Sequence, residues 1–139
     1  MGKLKVGQTK SYRIQQDAMD EFGYNRKCTR RGAYRLNDNT VVWFPIMTQS
    51  KEDIDNRGYG NYKVVKGDEV SIVEVAADEK KLDRILKSID SLRIAFPRNK
   101  GEHYCFDGLY KYDRVDKVNR SVTWKRIATE IDTCDYPII

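Results

Sequence analysis

The stretch HYCFDGLYKYD, residues 103–113, decides what kind of fold to expect. It is dense in aromatic residues, as strands prefer, and it carries Gly108 where a strand would otherwise run straight. Glycine inside a strand marks a bulge or a sharp bend, the device by which a sheet turns a barrel corner. A partner follows at once. SVTWKRI, residues 121–127, is β-branched and aromatic, and a turn over residues 116–120 makes the two a hairpin.

Working back from that hairpin, residues 93–101 read as a basic loop carrying Pro97. Before it, in DEKKLDRILKSIDSL, Leu82, Ile85, Leu86 and Ile89 fall at i, i+3, i+4 and i+7, with Asp78 placed as N-cap. That spacing predicts an amphipathic helix packed on a sheet. Residues 62–65 and 70–76 predict a second hairpin around Gly67-Asp68. TQSKEDIDNRGYGNY, residues 48–62, reads as a long polar loop. TVVWFPIM, residues 40–47, reads as a buried strand that lies at an edge or is bulged at Pro45, which has no N–H to give a ladder. Nearer the start, Ile14, Ala18 and Phe22 predict a short helix over residues 15–22, with Gly23 as its left-handed cap. Residues 3–7 predict an opening strand. Five or six short strands and two helices define an α+β fold. The expected architecture is a small curved antiparallel sheet or partly open β-barrel with two helices packed on it, one domain over residues 1–139.

Composition suits a soluble globular domain: 139 residues, 40% hydrophobic, 34% charged and a net charge of +5. No apolar run approaches the roughly 20 residues that span a bilayer, and no signal peptide is evident. Cys28, Cys105 and Cys134 are far apart and odd in number, so they are expected to be free thiols in a cytoplasmic protein. Charge is unevenly spread. GYNRKCTRRGAYR, residues 23–35, holds Arg26, Lys27, Arg30, Arg31 and Arg35 with no carboxylate, and residues 93–126 form a second basic block. Concentrated positive charge suits a polyanion, because bound phosphates release counterions.

Catalytic machinery is sparse. His103 is the lone histidine, there is no phosphate loop and no nucleophile elbow, and Glu52, Asp53 and Asp55 match no calcium-loop spacing. We therefore expect no catalytic residues, no metal, no cofactor and no enzyme activity. Binding chemistry is richer. Nine tyrosines and two tryptophans include Tyr24, Tyr34 and Tyr59 beside arginines. Aromatic faces stack on bases while guanidinium groups hold phosphates. Tyr104, Phe106, Tyr112 and Trp124 read better as core residues. Tyr59 and Tyr62, beside glycines in what reads as a loop, are freer to meet a ligand.

Four pieces in this order carry a family resemblance. Val6-Gly7, Tyr12-Arg13, Asp17 and Phe22-Gly23 give the first; VVWFP gives the second; Gly58-Tyr59 in NRGYGNY gives the third; Tyr104, Phe106, Gly108 and Tyr110 give the last. Together they resemble PUA-like domains of the SRA type found beside HNH nucleases in modification-dependent restriction systems. The chain departs from that pattern in having Arg30-Arg31-Gly32 where two glycines are usual, and no nuclease segment is expected with it. The resemblance implies a reader of duplex DNA that extrudes one modified base into a pocket of the barrel. Phosphates would be held by Arg26, Lys27, Arg30, Arg31 and Arg35, with Arg93, Arg98 and Lys100 as a second clamp. Trp43, Tyr59 and Tyr62 would sandwich the base, while Asn56 or Asp107 reads its polar edge. The expected partners are nucleic acid, duplex DNA foremost, and a nuclease, with no membrane. Two other readings stand beside this one: a small phage- or plasmid-encoded inhibitor of a nucleic-acid enzyme, and an RNA-binding PUA-type domain.

Overall fold

The hairpin anticipated near the C-terminus lies at the middle of the sheet in the computed structural model, which describes residues 2–29 and 31–139. Its strands are β9 (Gly108–Asp116) and β10 (Ser121–Ala128). Gly108 opens β9 at φ 115°, and a Cβ there would lie 2.6 Å from the Ala128 carbonyl oxygen and from the Arg126 side chain. Only glycine tolerates both the left-handed backbone and that approach, so this residue sets where β9 meets β10.

The other elements follow in chain order. They are β1 (Lys3–Lys5), α1 (Gln15–Asp20), β2 (Ala33–Asn37), β3 (Thr40–Trp43), β4 (Ile46–Met47), α2 (Lys51–Arg57) and β5 (Tyr59–Lys66). Then come β6 (Glu69–Ala76), α3 (Glu79–Leu86), β7 (Leu92–Ala95) and β8 (Arg98–Asn99), with β11 (Glu130–Asp132) after the hairpin. The main sheet has seven strands in the order β2-β3-β7-β9-β10-β6-β5.

Three expectations are corrected. The sheet is mixed, because β3 runs parallel to β7 and β4 parallel to β8. Parallel neighbours need a long crossover, and residues 44–91 supply one. Residues 48–62 are not a loop but α2 and the start of β5. Ser50 accepts the Asp53 N–H at 3.4 Å, and Gly58 ends the helix at φ 94°. No residue of α2 is buried, so no apolar stripe announced it. Residues 93–101, read as a loop, hold most of β7 and all of β8.

Pro45 falls where the chain leaves the sheet between β3 and β4; β3 itself is an interior strand. Its carbonyl accepts the Arg98 N–H at 3.1 Å, which holds β4 beside β8. Just beyond β4, Thr48 and Asn61 exchange two backbone hydrogen bonds at 2.9 and 3.0 Å. That bridge draws edge strand β5 towards β4 and curls the sheet into a partly open barrel.

Two apolar clusters hold this arrangement. Outside the curve, α1 seats Ala18 and Met19 on Phe44, Phe96, Tyr104 and Phe106, whose rings pack mostly edge to face. Gly23 closes α1 at φ 69°, and the Tyr24 N–H reaches back to the Met19 carbonyl at 3.3 Å. Inside the curve lie Trp43, Ile72, Tyr110, Val122 and Trp124, covered by Leu82 and Ile85 of α3. Burying each of those two helix side chains is worth about 1.5–3 kcal/mol. Asp78 caps α3 by accepting the Lys81 N–H at 2.8 Å. Among the described residues, no helix is long and apolar enough to cross a membrane.

Candidate nucleic-acid interface

The inner face of the curved sheet carries polar groups where apolar ones would be expected. Alternation along β6 puts Ile72, Glu74 and Ala76 on one face, and Glu74 stands opposite Asn61 of β5. Tyr59, two residues before Asn61, shares that face. From the other side of the barrel, β3 brings Trp43 and β7 brings Arg93. A cavity of about 730 Å³ opens between them, with Arg57, Arg84, Ser88 and Arg31 at its margin. Its size falls in the usual range of about 300–1,000 Å³ for small-molecule sites.

Arg93 is the structural centre of this cavity. It is 6% exposed, and its Nη1 donates to Glu74 Oε1 at 3.0 Å. Trp124 Nε1 donates to the same oxygen at 3.2 Å. The guanidinium carbon lies 3.6 Å from the Trp124 ring centre and 4.5 Å from that of Trp43. Burial pulls the arginine below its ordinary pKa, and the Glu74 carboxylate opposes that pull. An arginine so placed stays charged.

Two buried atoms here have no partner among the described residues: Asn61 Oδ1 and Arg93 Nε. Asn61 is 5% exposed, and its Nδ2 donates to the Ile46 carbonyl at 3.1 Å. Buried polar atoms are nearly always satisfied, and leaving one bare costs about 1–3 kcal/mol. Both residues line the cavity, so one unpaired acceptor and one unpaired donor lie within its wall, closed to solvent in the free protein. A heterocycle with an amino group beside a ring nitrogen or carbonyl complements that pair.

The residues anticipated from sequence are distributed as follows. Trp43 and Tyr59 line this cavity, and Arg31 borders it. Tyr62 points to the opposite face of β5, into an adjoining cleft with Lys63, Arg98 and His103. Asn56 is exposed on α2 and lines none of the cavities. Asp107 does not line this cavity: it accepts from Tyr110 Oη at 2.6 Å and Lys63 Nζ at 2.9 Å, with Arg126 at 3.5 Å. Arg93 is not a surface clamp, being buried and paired. Arg35 braces a turn, donating to the carbonyls of Asn37 and Asp38 and to Ser91 Oγ. Arg26 and Lys27 are exposed and line neither the cavity nor its neighbouring clefts, and Lys100 lies 3.8 Å from Asp53. Arg98 lines the adjoining clefts, and Arg30 lies outside the described residues.

Sequence reasoning missed Asn61, Glu74 and Arg57. A carboxylate at an inward position of SIVEVA was the available signal, since period-two alternation places Glu74 with Ile72. Among the described residues, no group of three His, Cys, Asp or Glu is placed to hold a metal ion.

A partly open barrel folded around a polar-floored cavity is the architecture of PUA-like domains that read bases in DNA. The SET and RING associated (SRA) domain model matches residues 3–133, and the chain belongs to this family. It is therefore a DNA-binding module of the modified-base-reading kind. No curated protein matches the chain.

Proposed function

We propose that the domain binds duplex DNA and extrudes one modified base into the cavity between Trp43 and Tyr59. The pair of buried, unpartnered atoms, Asn61 Oδ1 and Arg93 Nε, carries this reading. Flipping a base out of the stack costs a few kcal/mol. Tyr59 is half-buried at the cavity wall and offers a ring face, and stacking contributes about 1–3 kcal/mol per base. Trp43 is only 4% exposed and backed by Arg93, so it shapes the wall more than it stacks. Asn61 Oδ1 accepts from an exocyclic amino group, and Arg93 Nε donates to the neighbouring ring nitrogen or carbonyl.

Fixed donors and acceptors discriminate strongly, because a base lacking the matching group leaves them unpaired. Glu74 and the two tryptophans keep the guanidinium from turning to suit the wrong base. Outside the cavity, Arg26, Lys27 and Arg31 supply the sequence-independent attraction to phosphates. In this reading the domain acts by binding, and any cleavage belongs to a nuclease partner.

Fluorescence anisotropy with matched duplexes tests the proposal, comparing unmodified cytosine with 5-methyl- and 5-hydroxymethylcytosine at two salt concentrations. One modified duplex is expected to bind about tenfold tighter or more, equivalent to about 1.4 kcal/mol. Equal affinity for all three would reject it.

A further inference from the structure

Beside the inner cavity runs a cleft of about 700 Å³ whose charged lining is entirely arginine: Arg13, Arg57 and Arg98, with no carboxylate. It shares Gln15, Ile46 and Arg57 with the inner cavity, so the two adjoin. We propose that this cleft is a phosphate subsite, taking a phosphate of the nucleotide whose base occupies the inner cavity. The base half of this statement rests on the function proposed above; the phosphate half stands on the cleft itself.

Three observations support it. First, the charge of the cleft is uncompensated, whereas eight cations elsewhere, Lys10, Lys63, Lys81, Arg93, Lys100, Arg114, Lys125 and Arg126, each have a carboxylate within 4 Å. Among the described residues, Arg13, Arg57 and Arg98 have none. Converging three like charges without a counter-ion is unfavourable, and an anion in the cleft relieves it.

Second, Arg98 is held ready. Its guanidinium carbon lies 4.4 Å from the Tyr104 ring centre, and its Nη1 donates to the Glu102 carbonyl at 3.4 Å. Its Nε is buried without a partner. Third, the floor is rigid. Gln15 Nε2 donates to Tyr104 Oη at 3.2 Å, while Gln15 Oε1 accepts from Tyr34 Oη at 2.7 Å. Tyr34 in turn accepts the Arg31 N–H at 3.1 Å, which ties the basic segment to the same network. The three arginines come from different segments: the turn before α1, the last residue of α2, and β8. A groove built from parts so far apart in sequence could not be read from charge clustering.

Two sources supply such a phosphate, a phosphodiester of a DNA strand or a free nucleotide, and the test separates them. Arg57→Gln is the chief variant, because Arg57 is exposed at a helix end and its loss spares the core; Arg13→Gln is the second. Duplexes would carry the modified base with either flanking phosphodiester replaced by a neutral methylphosphonate. Wild-type protein is expected to lose about tenfold or more in affinity at one of the two linkages, as for a lost charge-assisted bond. The variants should bind the native duplex more weakly and show no further loss at that linkage. Their slope of log affinity against log salt should fall by about 0.9 per phosphate contact removed.

In a second arm, the modified nucleoside and its 5′-monophosphate compete for the protein, followed by NMR chemical shifts of Gln15 and Tyr104. Displacement by the monophosphate alone assigns the subsite to free nucleotides as well. The subsite is overturned if both variants keep wild-type salt slopes and the same methylphosphonate penalty. If wild type shows no preference for modified DNA yet Arg57→Gln still lowers the salt slope, the base reading fails and the phosphate subsite survives.

Discussion

The guanidinium of Arg93 and the indole of Trp124 stack at 3.6 Å, and both donate to the same oxygen of Glu74. These contacts tie three strands of the barrel, β6, β7 and β10, into one unit beneath the cavity. They also leave Arg93 Nε buried without a hydrogen-bond partner among the described residues. A charged donor buried without a partner is a costly feature to keep in a folded chain, and the proposed function gives it a use.

Removing Glu74 tests how firmly that unit is built. Glu74→Ala leaves Arg93 buried and uncompensated, which should destabilise the domain by about 3–5 kcal/mol. Replacing the pair together, with Glu74→Leu and Arg93→Met, should recover much of that stability while abolishing preference for modified DNA. Urea denaturation of the three proteins, with anisotropy on the double variant, checks both points.

Tyr59 and Tyr62 are three residues apart but face different sides of β5. Tyr59→Ala should weaken binding to the modified duplex by about 5- to 150-fold, the span of one base stack of about 1–3 kcal/mol. Tyr62→Ala, which opens only the adjoining cleft, should leave the preference for modified over unmodified duplex unchanged. Side-by-side titrations of the two variants distinguish them.

Asn61→Ala separates recognition from folding. The free acceptor is lost, and affinity for the modified duplex should fall about tenfold. Stability should change little, because the lost bond to the Ile46 carbonyl is offset by deleting a bare buried acceptor. Thermal melting of the free protein, set against duplex affinity, checks the split.

Acid should reveal the contact that fastens the chain start to α1. Burial tends to raise the Glu21 carboxyl, but hydrogen bonds from Tyr12 Oη at 2.7 Å and Lys10 Nζ at 3.1 Å outweigh it and hold Glu21 below 4.5. A depressed folded pKa means the contribution is complete above the unfolded value and disappears as pH falls through the folded one. Wild-type stability should therefore drop between about pH 5 and pH 3, and Glu21→Gln should flatten the curve in that window. Denaturation midpoints measured across the window decide it.

Much of the fold was legible where side-chain period and turn chemistry agreed. The hairpin around Gly67-Asp68, the helix capped by Asp78 and the bend at Gly108 all announce themselves locally. What stayed hidden is non-local or lacks an apolar face. The α2 helix carries one apolar residue, Ile54, too few to make a stripe, and the parallel pairing of β3 with β7 depends on a crossover that no local window contains. The cavity was legible only in part. Residue type singled out Trp43 and Tyr59, which share it, whereas Asp107 serves Lys63 and Tyr110, and Arg93 turned out to be an interior brace. Asn61 and Glu74 become visible as neighbours only once β5 and β6 are in register.

The central claim is that a modified base leaves the stack and enters the cavity beneath α3. Its most direct test places 2-aminopurine immediately beside the modified base in a duplex and follows fluorescence as protein is added. The account expects emission to rise on binding, because the neighbour's departure unstacks the probe, and expects no rise with Asn61→Ala/Tyr59→Ala at saturating protein. Tight, modification-dependent binding with unchanged emission would contradict it, since the base would then be read in place within the helix.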